Sequence, residues 1–164
     1  VGSLLRPKAI HDARTKHAKG EISAGQLKEI EDREIKRVIK KQEEVGLKAI
    51  TDGEFRRSWW HLDFLWGLDG AEKHVMDTGI KFAAVNTRNE GVAVTGKLGM
   101  SGPHAMVEHF KFVAAHTKQT PKITIPSPSA IYGRPVATPI DKSAYPDMDA
   151  FWHDLGNAYK KAVR

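Results

Sequence analysis

The sequence contains no cysteine. That excludes disulfides and thiolate metal sites within the chain and fits a reducing, cytoplasmic compartment. No apolar run approaches the ~18 residues of a membrane span, and no apolar leader with a small-residue cleavage site is present. A membrane protein is therefore not expected. Phosphate-loop signatures are missing too: Gly96, Lys97, Leu98 and Gly99 lack Walker spacing, and no G-x-G-x-x-G occurs. The eight histidines (His11, His17, His61, His74, His104, His109, His116 and His153) never fall at H-x-H or H-E-x-x-H spacing. No complete metal site is expected within these residues. A net charge of +6 comes without a basic block of five or more; the lysines lie among acids on helix faces, so nucleic acid is not the expected partner.

What is present is an ordinary globular composition, 40% hydrophobic and 28% charged over 164 residues, enough for one domain. Residues 1–5 read as a short strand, ended at Arg6 and Pro7. A polar helix is predicted over 8–19, stopped by Gly20. Ser23 and Gln26 have the spacing of a capping box, and the helix that follows places Leu27, Ile30, Ile35, Val38, Ile39 and Val45 on one face. Gly46 suits its C-terminal exit. Residues 47–51 read as the next strand, ended by Asp52 and Gly53.

Residues 55–70 read as an aromatic, polar loop. Residues 80–85 and 92–98 could pair as strands around a turn at 86–91. Ser101, Gly102 and Pro103 open another helix, with Met106, Val107, Phe110, Val113 and Ala114 as its buried stripe. A strand is predicted over 122–125, then a Pro-rich loop, then a final helix from Pro146 and Asp147 carrying Met148, Phe151, Trp152, Leu155 and Tyr159. This alternation predicts an α/β fold with a parallel sheet. A closed (β/α)8 TIM barrel needs about 250 residues, and some four of its eight strands are counted here. The start at Val1 inside an apolar stretch, and a last helix running to Arg164 without a stop signal, suggest a piece of a larger protein.

In parallel α/β folds the chemistry sits just after strand ends. Ser3, then Asp52, Glu54, Arg56 and Arg57, then Ser127 and Ser129 occupy such positions. On spacing alone Asp52-Gly53-Glu54 reads first as an ordinary turn. A carboxylate flanked by arginines can also grip an amino group or cation, and the arginines can hold a carboxylate or phosphate in bidentate fashion. Trp59, Trp60, His61, Asp63, Phe64 and Trp66 read first as a local cluster anchoring a loop, with a stacking wall for a planar ligand as the alternative.

Several segments together resemble the catalytic domain of cobalamin-independent methionine synthases, above all the short single-domain methionine-synthase-like proteins. They are residues 1–7 (VGSLLRP), Glu31-Asp32, residues 42–47 (QEEVGL), 50–57 (ITDGEFRR), 60–64 (WHLDF) and 122–129 (KITIPSPS). The resemblance implies a (β/α)8 barrel of the uroporphyrinogen decarboxylase type. Residues 1–164 would be its N-terminal half, with a loop or hairpin insertion at about 58–96. It implies methyl transfer to the thiol of homocysteine, giving methionine, with zinc lowering the thiol pKa. Gly2, Ser3 and Glu54 correspond to the family residues that hold the amino-acid end of homocysteine. Asp52 and Arg57 would support them, with Trp60, His61 and Asp63 at the mouth and Ser127 and Ser129 along a strand edge.

The family's zinc ligands, His, Cys, Glu and Cys, belong to the second half of the barrel, so the chain alone is expected to be inactive. Where the two-domain enzymes stack a tryptophan on a folate, this sequence has Tyr132. Either Tyr132 takes that place or the methyl donor is not a methyltetrahydrofolate. A half barrel leaves part of its core uncovered, which favours a homo-oligomer. The alternatives are another methyltransferase or a decarboxylase relative of the superfamily, or a non-catalytic α/β interaction module.

Overall fold

A computed structural model describes residues 2–77, 79, 88–132 and 140–164. It divides into two compact units. The first joins Val1–Ser58 to Met106–Thr124, and the second joins Trp59–Ala105 to Ile125–Arg164.

The first unit is built on two helices. α1 spans Lys8–Ala18. α2 spans Ala24–Glu44 and opens on the capping box its sequence predicts. Ser23 Oγ accepts from Gln26 N at 3.2 Å, and Gln26 Oε1 accepts from Ser23 N at 2.8 Å. Two donors that no helical carbonyl can reach are thereby satisfied. β1, Ala49–Ile50, pairs in parallel with a later strand, Thr120–Pro121. A helix, Ala105–His116, lies between them in sequence. Ile10, Ile35, Ile39, Ile50, Phe55 and Val113 form the buried core, with Val38 and Phe112 packed against it.

Several expectations are corrected here. Residues 2–7 carry no regular strand; Leu4 N donates to Gly53 O at 3.1 Å, while Leu5 is 96% exposed. The strand expected at 122–125 sits instead at Thr120–Pro121. Val45 is exposed, outside the core face assigned to it. In the Ala105–His116 helix only Met106 and Val113 of the predicted stripe are fully buried. The described residues form two two-stranded sheets, one parallel and one antiparallel, and no closed barrel.

In the second unit a short helix α3, Leu62–Leu65, interrupts what reads in sequence as a loop. β2, Asp69–Val75, pairs antiparallel with β3, Glu90–Gly99, with Ala71 opposite Val94 and Val75 opposite Glu90. A register shift falls between Asp69 and Ala71. Gly70 makes it possible: its φ is +72°, and a Cβ there would lie 2.4 Å from Lys97 O. The strand expected at 80–85 lies outside the described residues. With the Ala105–His116 helix as α4 and Thr120–Pro121 as β4, the last elements are a 3-10 turn at Pro128–Ile131 and α5, Met148–Val163. Asp147 caps α5 by accepting from Asp149 N at 3.0 Å. Phe151, Leu155 and Tyr159 form the buried stripe of α5. Tyr145 OH donates to Asp154 at 2.8 Å and accepts from Leu98 N at 2.6 Å. Among the described residues no helix is long and apolar enough to cross a membrane.

Candidate functional site

The turn after β1 concentrates the polar groups of the first unit. Gln42 of α2 fixes its entry. Its Nε2 donates to Thr51 O at 2.8 Å and its Oε1 accepts from Thr51 N at 3.1 Å. Thr51 Oγ1 then donates to Gly2 O at 2.9 Å and accepts from Gly53 N at 3.1 Å. Asp52 Oδ1 accepts from Glu54 N at 2.9 Å, closing a local turn. Asp52 Oδ2 is buried without a hydrogen-bond partner among the described residues.

Gly53 and Glu54 both adopt left-handed backbone, at φ +66° and +59°. For a side chain such as Glu54 this costs about 1–2 kcal/mol. Residues held this way persist where the surroundings over-determine them, and they cluster at functional sites.

The Glu54 side chain is buried and held on one side. Its Oε1 accepts from Thr124 Oγ1 at 2.6 Å and lies 3.6 Å from Arg57 Nη1. Arg57 is buried, and its Nη2 donates to Thr124 O at 2.5 Å. Glu54 Oε2 makes no hydrogen bond among the described residues, so one carboxylate oxygen is anchored and the other is available to a cation. Gly2 backs this pair closely: a Cβ there would sit 3.0 Å from Thr124 Cγ2 and 3.4 Å from Glu54 Oε1. Ser3, next in the chain, is exposed.

The turn is also gripped from α1 and α2. Arg14 Nη2 reaches Glu31 Oε1 at 3.3 Å, Arg56 Nη2 donates to Asp32 Oδ1 at 2.6 Å, and Arg56 Nη1 lies 3.8 Å from Glu31 Oε2. The Arg56 guanidinium covers the Phe112 ring at 4.8 Å. Burial pushes the Glu31 carboxyl up, and the neighbouring Arg14 and Arg56 only partly offset it. Burial also acts to raise Asp32, but hydrogen bonds from Lys28 and Arg56 outweigh it and hold that carboxyl below its ordinary value.

The structure thus brings Gly2, Asp52, Glu54 and Arg57 together. Thr51, Thr124, Arg6 and Arg14 join them without having been singled out in the sequence. Thr51 directly follows β1, so the strand-end rule that selected Asp52 could have found it; Thr124 stands beyond β4 and is tied to the site by its bond to Glu54, 70 residues away. The arginines carry no such signal, because their partners are backbone carbonyls some 41 to 51 residues away.

The other sequence candidates belong to the second unit. His61 is buried, with its ring 4.4 Å from that of Trp60. Asp63 Oδ1 accepts from Trp59 N at 2.9 Å, which ties down the start of α3. Trp59 Nε1 donates to Glu90 Oε2 at 2.6 Å. Ser127 and Ser129 are exposed and bond each other at 2.9 Å. Tyr132 is 51% exposed and meets Trp152 edge to face at 5.4 Å. Among the described residues no three His, Asp or Glu side chains are grouped to hold a metal, and the chain has no cysteine. The donors present therefore do not fit a zinc centre.

A family model described as "Cobalamin-independent synthase, Catalytic domain" matches residues 1–132. The chain belongs to this family. Two Bacillus subtilis (strain 168) members, the uncharacterized proteins YxjH and YxjG, are each 45% identical over all of this chain and 43% of their own lengths. The 5-methyltetrahydropteroyltriglutamate–homocysteine methyltransferase of Bifidobacterium animalis subsp. lactis (strain AD011) is 41% identical over 58 residues, 35% of this chain and 8% of that protein. Among solved structures, one from Listeria monocytogenes named "putative vitamin-B12 independent methionine synthase" aligns with 99% of this chain and 45% of its own. It does so at TM-score 0.78 and 41% identity. A B12-independent methionine synthase from Shewanella sp. W3-18-1, in complex with selenomethionine, shares the fold at TM-score 0.65 and 16% identity, over 87% of this chain and 40% of its own. The architecture is thus the α/β fold of the cobalamin-independent synthases. The chain spans under half the length of the relatives it matches throughout.

Proposed function

We propose that the turn after β1 holds the amino-acid end of homocysteine during its S-methylation to methionine. Glu54 takes the α-ammonium through Oε2, while Gly2 and Ser3 form the backbone wall beside it. Arg57 and Asp52 hold Glu54 in place. The observation that supports this is the asymmetric carboxylate: Oε1 is anchored by Thr124 and Arg57, while Oε2 is left for a ligand. Family membership points the same way.

On this reading residues 1–164 are the N-terminal half of one (β/α)8 barrel, with an insertion at about 58–96. The zinc ligands are expected outside these residues, and so is the activation of the thiol. The chain alone is then a binding half without a reaction centre. Trp60, His61, Asp63, Ser127, Ser129 and Tyr132 belong to the second unit, and the methyl donor is a methyltetrahydrofolate if Tyr132 replaces the stacking tryptophan.

The test is calorimetric titration of L-methionine into the full-length protein and its Glu54→Gln variant. Removing one side of a desolvated charged pair costs about 1.5–3 kcal/mol, a ten- to hundred-fold loss of affinity. Unchanged affinity in a folded variant would remove Glu54 from the site.

A further inference from the structure

Two arginines, Arg6 just before α1 and Arg14 on it, converge on the turn that carries Glu54. Arg6 Nη2 donates to Glu54 O at 3.0 Å and to Arg57 O at 2.8 Å. Arg14 Nη1 donates to Arg57 O at 3.1 Å, and its Nη2 donates to Phe55 O at 2.5 Å. Three carbonyls of one short turn are thus capped by two guanidinium groups. Glu31, buried on α2, orients Arg14 from the far side at 3.3 Å.

This turn needs such a grip. Glu54 is a non-glycine residue at φ +59°, and left to itself it would swing to negative φ and carry its carboxylate elsewhere. Arg57 links the grip to the site. Its carbonyl is held by both arginines, while its own side chain holds Thr124 O and lies beside Glu54 Oε1. A guanidinium fork suits two carbonyls at once, which a lysine ammonium cannot match.

We propose that Arg14 and Arg6 are positioning residues that fix the left-handed backbone of Glu54 and thereby aim its carboxylate at the substrate's amino group. This rests on Glu54 being that amino-group ligand. Neither arginine touches the substrate; both act through the turn.

The test compares L-methionine with its desamino analogue, titrated into the full-length protein. Wild type is expected to favour methionine. Arg14→Lys keeps the charge facing Glu31 but loses the fork. It is expected to weaken methionine binding about ten-fold while leaving the desamino analogue within about two-fold. Arg6→Lys is expected to do the same and decides the matter if Arg14→Lys does not fold. Arg33→Ala, which removes an exposed guanidinium paired only with Glu34, should change neither affinity. A folded lysine variant that keeps the wild-type preference, or loses both ligands equally, would overturn the proposal. Glu54→Gln separates the two levels. If it abolishes the preference while the lysine variants retain it, only the positioning role fails. If it retains the preference, the reading of Glu54 fails, and the positioning role with it.

Discussion

At the scale of single residues, the role proposed for Glu54 is set against its backbone conformation. Its left-handed conformation would suit glycine better. Glu54→Gly should therefore relieve about 1 kcal/mol of backbone strain while deleting the carboxylate. The expected result is loss of methionine binding in titration together with a lower thermal midpoint, because the strain relief offsets only part of the cost of leaving buried Arg57 without its carboxylate. Gly2 is constrained by space instead of dihedral. A methyl there meets Thr124 at 3.0 Å, so Gly2→Ala should displace the threonine hydroxyl from Glu54 Oε1. Methionine affinity should fall several-fold, as titration will show, with far-UV circular dichroism unchanged. The sequence placed Glu54 after a strand and singled out Gly2 through the opening motif, and the structure sets the two side by side. Thr124 was legible only as part of a strand, because its role depends on a partner 70 residues away.

At the scale of elements, the helices were read well and the strands poorly. The helices announce themselves locally. Ser23 and Gln26 close their capping box within four residues, and Asp147 caps α5 two residues on. Ser23→Ala should cost about 1 kcal/mol in a urea melt. The strands are short and set by partners far away in sequence. β1 and β4 are two residues each and recognise one another across α4. β2 escaped notice because Asp69–Val75 has one buried apolar side chain, Ala71, and no clear alternation. Its register comes from β3 and from the glycine at position 70.

Tyr145 shows how the second unit uses such a long-range bond. Its hydroxyl bridges Leu98 N and Asp154, and burial pushes its pKa to about 12. Tyr145→Phe leaves a buried Leu98 N–H unpaired and should cost about 1–3 kcal/mol, read by denaturant unfolding. Because the folded pKa lies above the ordinary 10.0, the stability it contributes is intact below pH 10 and is lost as pH rises toward 12.

At the scale of the whole molecule, acid stability carries the signature of the charged frame behind the site. Asp32 sits below its ordinary 3.8 through Lys28 and Arg56, against the opposing effect of burial. Its contribution is therefore present above pH 3.8 and lost as pH falls through its lower folded value. Glu31 runs the other way: burial raises it above 4.5, so the folded protein takes up that proton first and gains relative stability on acidification. Asp32→Asn should thus be less stable than wild type at neutral pH. The gap should close as pH falls below 3.8 in urea melts.

The α/β class was legible from the alternation of elements. The division into two units was not, because the second unit gathers β3, the 3-10 turn and α5 from two separate stretches of the chain, Trp59–Ala105 and Ile125–Arg164. The frame of Arg6, Arg14 and Glu31 was illegible for the same physical reason. Guanidinium groups that serve distant carbonyls look like ordinary surface charges in a sequence.

The central claim is that Glu54 receives the amino group of the substrate. A crystal structure of the full-length protein with L-methionine tests it most directly. The account predicts the α-nitrogen about 3 Å from Glu54 Oε2, with Oε1 still on Thr124 and φ of Glu54 still positive. Methionine bound with its nitrogen on another carboxylate, and Glu54 Oε2 empty, would contradict it.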